Sequence, residues 1–300
     1  MSSLYTKAKN NKNKSYLLLS LFFILFILAG WGISYIYDDS SILYFAVIIS
    51  LALTVGSYWY SDKLILSFSK AKELKFEDNK EIYRLVENLC ITAGLPLPKI
   101  YIIEDNSPNA FATGRDKNHA VVALTTGIIN KLERSELEGV IAHELSHIGN
   151  RDILLATLIT VLVGGIVMLA DYLRYASIFR GNNKKNGGWT GIILLALIII
   201  APIFAYLLKF SISRQREYLA DADAALLTRY PEGLARALEK ISADPLPVKT
   251  ANKSTAHLFI ASPLNKKNKN GSAISRVFAT HPPIEERIKR LRGLDVDRET

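Results

Sequence analysis

Cysteine is nearly absent: Cys90 is the single one in 300 residues. One cysteine forms no intrachain disulfide and builds no cysteine-rich zinc site. Standing beside Leu85 and Leu89 on an apolar helical face, Cys90 reads as a small core residue. Acidic residues are also scarce. The 28 Asp and Glu face 37 Lys and Arg, a formal net charge of +9. Such a balance suits nucleic acid or an anionic membrane surface. Four long runs lack charge altogether: 16–37, 42–60, 153–170 and 189–208. They decide for a lipid bilayer as partner and against nucleic acid.

Each run is long enough to cross a hydrocarbon core of about 30 Å as a helix. The first is too long for a signal peptide and has no small-x-small cleavage site. Asp38 and Asp39 close it, and a few residues later the second run begins, so the two form a hairpin. Trp59 and Tyr60 end the second at an interface position. Basic residues flank this hairpin outside: Lys7, Lys9, Lys12 and Lys14 before it, and Lys63, Lys70, Lys72 and Lys75 after it. Both flanks are therefore expected on the cytoplasmic side. The loop between runs three and four carries Arg174, Arg180, Lys184 and Lys185. Those charges are on the wrong side for two full spans, and a partly inserted hairpin is the alternative. The chain divides into a basic tail with a hairpin (1–62), a first soluble part (63–152), a second hydrophobic hairpin (153–208) and a second soluble part (209–300).

The first soluble part has an α+β pattern. A helix is expected over 80–93, stopped by Gly94-Leu95-Pro96. Strands follow at 100–103, 110–114 and 120–124, then a short helix at 127–132. An edge strand in such a sheet could pair with a substrate backbone. Residues 244–275, rich in Pro, Asn, Lys, Ser and Gly, suggest a solvated loop. A last helix is expected over 284–291.

The chemistry concentrates at His143-Glu144-Leu145-Ser146-His147. Ser135 and Glu138 suggest a capping box for a helix whose apolar spacing continues through Leu137, Val140, Ile141, Leu145 and Ile148. On a helix, His143 and His147 share one face and can hold a Zn²⁺ through their ring nitrogens. Glu144 beside them can take a proton from a water that the metal activates. A third ligand must come from elsewhere. His147 lies just before run three and Glu217 just after run four, so a hairpin returns Glu217 to the same side. Asp221, one turn on, can accept a hydrogen bond from a ligating histidine. On the bland reading, Arg214, Arg216, Glu217 and Asp221 are a charged face beside the membrane.

Three stretches carry a resemblance: 143–152 (HELSHIGNRD), 213–221 (SRQREYLAD) and 280–288 (THPPIEERI). In that order, they resemble the HtpX membrane zinc endopeptidases, which are related to the CAAX prenyl proteases. The resemblance implies a mainly α membrane protein with an α+β zincin domain of gluzincin type and one Zn²⁺ per chain. It implies His143, His147 and Glu217 as ligands, Glu144 as general base and His281 as stabiliser of the oxyanion. Residues 108–114 (PNAFATG) match the family's substrate-side strand, which makes Asn109, Ala110 and Phe111 substrate contacts. Further implied are a bacterial cytoplasmic membrane, a catalytic domain on the cytoplasmic side, a role in stress response and misfolded or damaged membrane proteins or peptides as substrates. A CAAX-type processing protease of narrow specificity and a non-enzymatic zinc-binding scaffold are the alternatives.

Overall fold

The structure is a computed structural model that describes residues 4–162, 214–248, 258–260 and 282–296. It begins with two long helices, α1 (Leu4–Tyr37) and α2 (Ser41–Phe68). Both are long and apolar enough to cross a membrane, over Asn13–Gly32 and Ser41–Phe68. The start of the third apolar run forms α6 (Asp152–Leu162). The remainder of the third run and all of the fourth fall outside the described residues.

The soluble part is built on a four-stranded sheet of order β1-β2-β4-β3. Its strands are β1 (Lys72–Glu73), β2 (Lys99–Ile103), β3 (Ala110–Gly114) and β4 (Ala120–Thr125). β2 and β4 run parallel, while β1 and β3 flank them antiparallel. β1, only two residues long, is visible through its pairing and had no signature in the sequence. The helix α3 (Lys80–Ala93) is capped at its start by Asn79, whose side chain accepts from Ile82 N–H at 3.0 Å. It stops at Gly94, which takes φ +63°, a left-handed conformation that glycine adopts without a Cβ penalty.

After the short α4 (Thr126–Lys131) comes α5 (Arg134–Gly149), the centre of the molecule. Leu137, Val140, Ile141, Leu145 and Ile148 are buried, as their spacing predicts, but so are Gly139, Ala142, His143, Glu144 and Ser146. A helix covered on nearly every side is a core helix rather than an amphipathic surface one. Its cap lies two residues earlier than the sequence suggested. The Glu136 carboxylate accepts from Glu133 N–H at 2.8 Å. Glu136 also accepts from Lys240 Nζ at 2.7 Å. That distant contact is why Glu136, rather than Glu138, is buried and caps the helix.

Two more helices pack on α5, α7 (Arg214–Thr228) and α8 (Pro231–Ala243), and a third, α9 (Ile284–Val296), packs on those two. The crossing of α5 with α8 is close because glycines meet there. A Cβ on Gly139 would stand 2.8 Å from Leu234 N, and one on Gly233 would stand 2.6 Å from Ser135 O. A second apolar cluster packs Leu18, Leu19 and Phe22 of α1 on Leu154, Leu155 and Leu158 of α6. A third joins Ile65 of α2 to Phe111, Leu258 and Phe259. Residues 258–260 thus belong to the core, contrary to the solvated loop expected there, because Phe259 stacks edge-on against Phe111 with ring centroids 5.2 Å apart.

Gly139→Ala forces α5 and α8 apart and should destabilise the protein by about 1–3 kcal/mol. A lowered thermal unfolding midpoint in detergent is the expected result; an unchanged midpoint contradicts the close crossing.

Candidate metal centre

α5 and α7 lie against each other, and their facing side chains form one polar cluster inside the core. His143 and His147 stand one turn apart, so their rings emerge on the same face of α5. Their Nε2 atoms are 3.2 Å apart. Glu217, in the first turn of α7, brings Oε2 to 3.8 Å from His143 Nε2 and Oε1 to 3.7 Å from His147 Nε2. Ligands arranged tetrahedrally at zinc bond lengths of about 2.0–2.2 Å stand about 3.3–3.6 Å apart. The triangle of donors is therefore of the size that one zinc ion spans. Its composition, two imidazoles and a carboxylate, is also one that zinc favours.

Charge gives a second test of fit. Glu144, Asp152, Glu217 and Asp221 are all buried here. Among the described residues, two guanidiniums reach them: Arg287 pairs with Asp221, and Arg216 Nη1 lies 3.6 Å from Asp152 Oδ1. Four buried carboxylates thus gather here with two guanidiniums among the described residues, which makes the site acidic. A divalent cation suits an acidic site of this kind, because buried charge needs compensation.

Each imidazole has a carboxylate behind it. His147 Nδ1 is 3.1 Å from Asp152 Oδ2. His143 Nδ1 is 3.0 Å from Asp221 Oδ1, although this approach lies out of line with a well-formed hydrogen bond. Both rings are thereby turned with Nε2 towards Glu217. Burial pushes His143 down to about 4, against the raising pull of Asp221. Burial also opposes charge on His147, but Asp152, Glu217 and Glu144 outweigh it and hold that imidazole up at about 9. Burial would raise Asp221, yet Arg287 beside it wins and keeps its carboxyl down at about 2. The surroundings therefore favour a neutral His143 and a charged His147.

The structure brings His143, His147, Glu217 and Asp221 together. Glu144 is buried next to them, within electrostatic reach of His147 and Arg287. His281 lies outside the described residues. Asn109, Ala110 and Phe111 divide between the two edges of β3. Thr125 N–H donates to Asn109 O at 3.0 Å, and the ladder alternates from there. Asn109 and Phe111 thus turn their backbone to β4, while Ala110, Ala112 and Gly114 turn theirs to the outer edge. That edge is held at both ends. Ala110 O accepts from Ile260 N–H at 3.0 Å, and Gly114 N–H donates to Thr157 Oγ1 at 3.3 Å. Ala112 lies between these two anchors.

Two residues of the cluster were missed in the sequence, Asp152 and Arg287. Asp152 follows His147 by five positions, a spacing with no helical meaning, since the chain turns at Arg151 (φ +58°) before α6 begins. Arg287 did leave a signal. It shares a helical face with Ile284, Ile288 and Leu291, and a charge on an apolar face calls for a buried partner.

Comparison with known proteins adds the family. The sequence profile of Peptidase family M48 matches residues 77–295. The chain belongs to peptidase family M48. A Protease HtpX homolog of Dictyoglomus turgidum is 46% identical over 290 residues, covering 96% of this chain and 94% of the relative. Another, from Desulforapulum autotrophicum, is 47% identical over 251 residues, covering 82% and 79%. The crystal structure of S. mikatae Ste24p aligns with a TM-score of 0.52 at 20% identity, over 96% of this chain and 67% of that one. That likeness concerns the fold. As a member of family M48 with protease relatives, the chain is a membrane metalloendopeptidase.

A proton on His147 competes with a metal for the same nitrogen. Below about pH 9 the proton has to leave before a metal binds, so affinity falls as pH falls. The apparent zinc affinity of the M48 site should rise about tenfold per pH unit between pH 6 and 8. Chelator competition measures this; a flat profile contradicts the protonated His147.

Proposed function

We propose that His143, His147 and Glu217 hold one Zn²⁺ per chain in a gluzincin-type site, and that Glu144 is the general base of peptide-bond hydrolysis. The observation that carries this reading is the triangle of donors, with Nε2 atoms 3.2 Å apart and the Glu217 carboxylate closing it. When bound, zinc acidifies water and polarises the scissile carbonyl. Glu144, next to His143 on α5, accepts the proton of the attacking water and then delivers it to the leaving amine nitrogen. Asp152 and Asp221 keep the two imidazoles oriented throughout. An extended peptide would pair with the outer edge of β3 at Ala112, between the anchors at Ala110 and Gly114.

The substrates we infer are misfolded or damaged membrane proteins, in a stress-response role at a bacterial cytoplasmic membrane, with the catalytic part on the cytoplasmic side. Two features support this. The apolar helix α2 runs on to Phe68, four residues before β1, and α6 begins three residues after α5 ends. The metal helix is thus placed close to apolar segments that suit a bilayer, where a polypeptide leaving the membrane would meet it. In this reading 63–152 and 209–300 make up the catalytic part, and 1–62 and 153–208 anchor it.

Purified protein should cleave an unfolded membrane protein, stop on chelation and resume when zinc is added. Glu144→Gln should keep its zinc and lose cleavage by about 10²–10⁴-fold. Cleavage that survives removes Glu144 as the base. Glu217→Ala should sharply lower bound zinc, measured by elemental analysis; unchanged stoichiometry removes Glu217 from the ligands.

A further inference from the structure

Arg287 has no solvent exposure, although it carries a permanent charge. Removing a guanidinium from water costs several kcal/mol unless its donors are used. They are used on two different parts of the fold, and a third lies within reach. Nε donates to Asp221 Oδ2 at 2.9 Å and Nη2 to Asp221 Oδ1 at 2.7 Å, a two-pronged grip. Nη1 donates to Ile260 O at 3.0 Å. Nη2 is also 3.5 Å from His143 Nε2. Ile260, in turn, gives its N–H to Ala110 O at the end of the edge strand.

One residue of the 258–260 segment therefore bonds to Arg287 through its carbonyl and to β3 through its amide. Contacts run without a gap from His143 to Asp221, to Arg287, to Ile260 and to Ala110. We infer that Arg287 is a positioning residue that ties the orientation of His143 to the docking of residues 258–260 on the edge strand. The inference rests on the proposed assignment of His143 as a metal ligand. An apolar side chain would fill the same space without the desolvation cost, so packing alone does not account for a charge here. Lysine would keep the charge but lose the fixed fork that grips both oxygens of Asp221 and the Ile260 carbonyl together.

Coupling of this kind is reciprocal. If metal binding firms the placement of 258–260, then loosening 258–260 weakens metal binding by the same factor. The end of the substrate edge is then firmly closed in the metal-loaded protein and looser without metal. This places the metal and one boundary of the peptide cleft under one control.

The test uses the full chain in detergent, with zinc as the ligand. In wild-type protein, zinc loading should slow amide hydrogen exchange in residues 258–260 by about fivefold or more. Arg287→Lys should raise the zinc dissociation constant about 10–100-fold in chelator competition and abolish the zinc-dependent slowing. A residue with a purely structural role would lower the unfolding temperature and leave the zinc constant unchanged, which overturns the inference. If Arg287→Lys does not fold, the wild-type comparison decides, because equal exchange with and without zinc also overturns it. Wild-type protein that binds no zinc would instead defeat the metal assignment itself, and this inference with it.

Discussion

Four carboxylates buried around two imidazoles are the constraint on which the rest of the molecule depends. Glu144, Asp152, Glu217 and Asp221 repel one another, and burial leaves them little access to bulk water. Arg216 and Arg287 offset part of that charge, and the arrangement of the remaining donors suits a divalent cation. Such a cluster holds its shape only if its supports are rigid. That explains why α5 is covered on nearly all sides, with α7 and α8 packed on it and a glycine crossing that brings α8 to backbone contact. A surface helix would let the two rings and the carboxylate drift by more than a metal site tolerates.

The same need for rigidity reaches the sheet. β3 is an edge strand by topology, yet it is fixed at Ala110 by Ile260 and at Gly114 by Thr157 of α6. One anchor belongs to a segment that Arg287 holds, and the other to a helix from an apolar run. β3 is thus tied both to the polar cluster and to the apolar helices.

Much of this was legible in the sequence because it is local. The helical spacing around His143 and His147, the stop at Gly94 and the three longer strands all follow from short-range preferences. Glu217 was found by an argument about chain return, and Asp221 by adding one helical turn. What stayed hidden depends on contacts between distant segments. The cap at Glu133 and Glu136 is selected by Lys240 from another helix. β1 is two residues that form a strand only against Tyr101 and Ile102. Leu258, Phe259 and Ile260 sit in a polar stretch, and distant residues such as Ile65, Phe111 and Arg287 give them a place to pack. Arg287 could have been suspected from its apolar helix face, but its partners could not be named without the fold.

The central claim is that two imidazoles and one carboxylate surround a single zinc ion. The zinc K-edge absorption spectrum of the loaded protein tests it most directly. The account predicts a first shell of light atoms at about 2.0–2.2 Å, with the multiple-scattering pattern of two imidazoles and no sulfur. A shell with fewer than two imidazoles, or a six-oxygen shell, would contradict it.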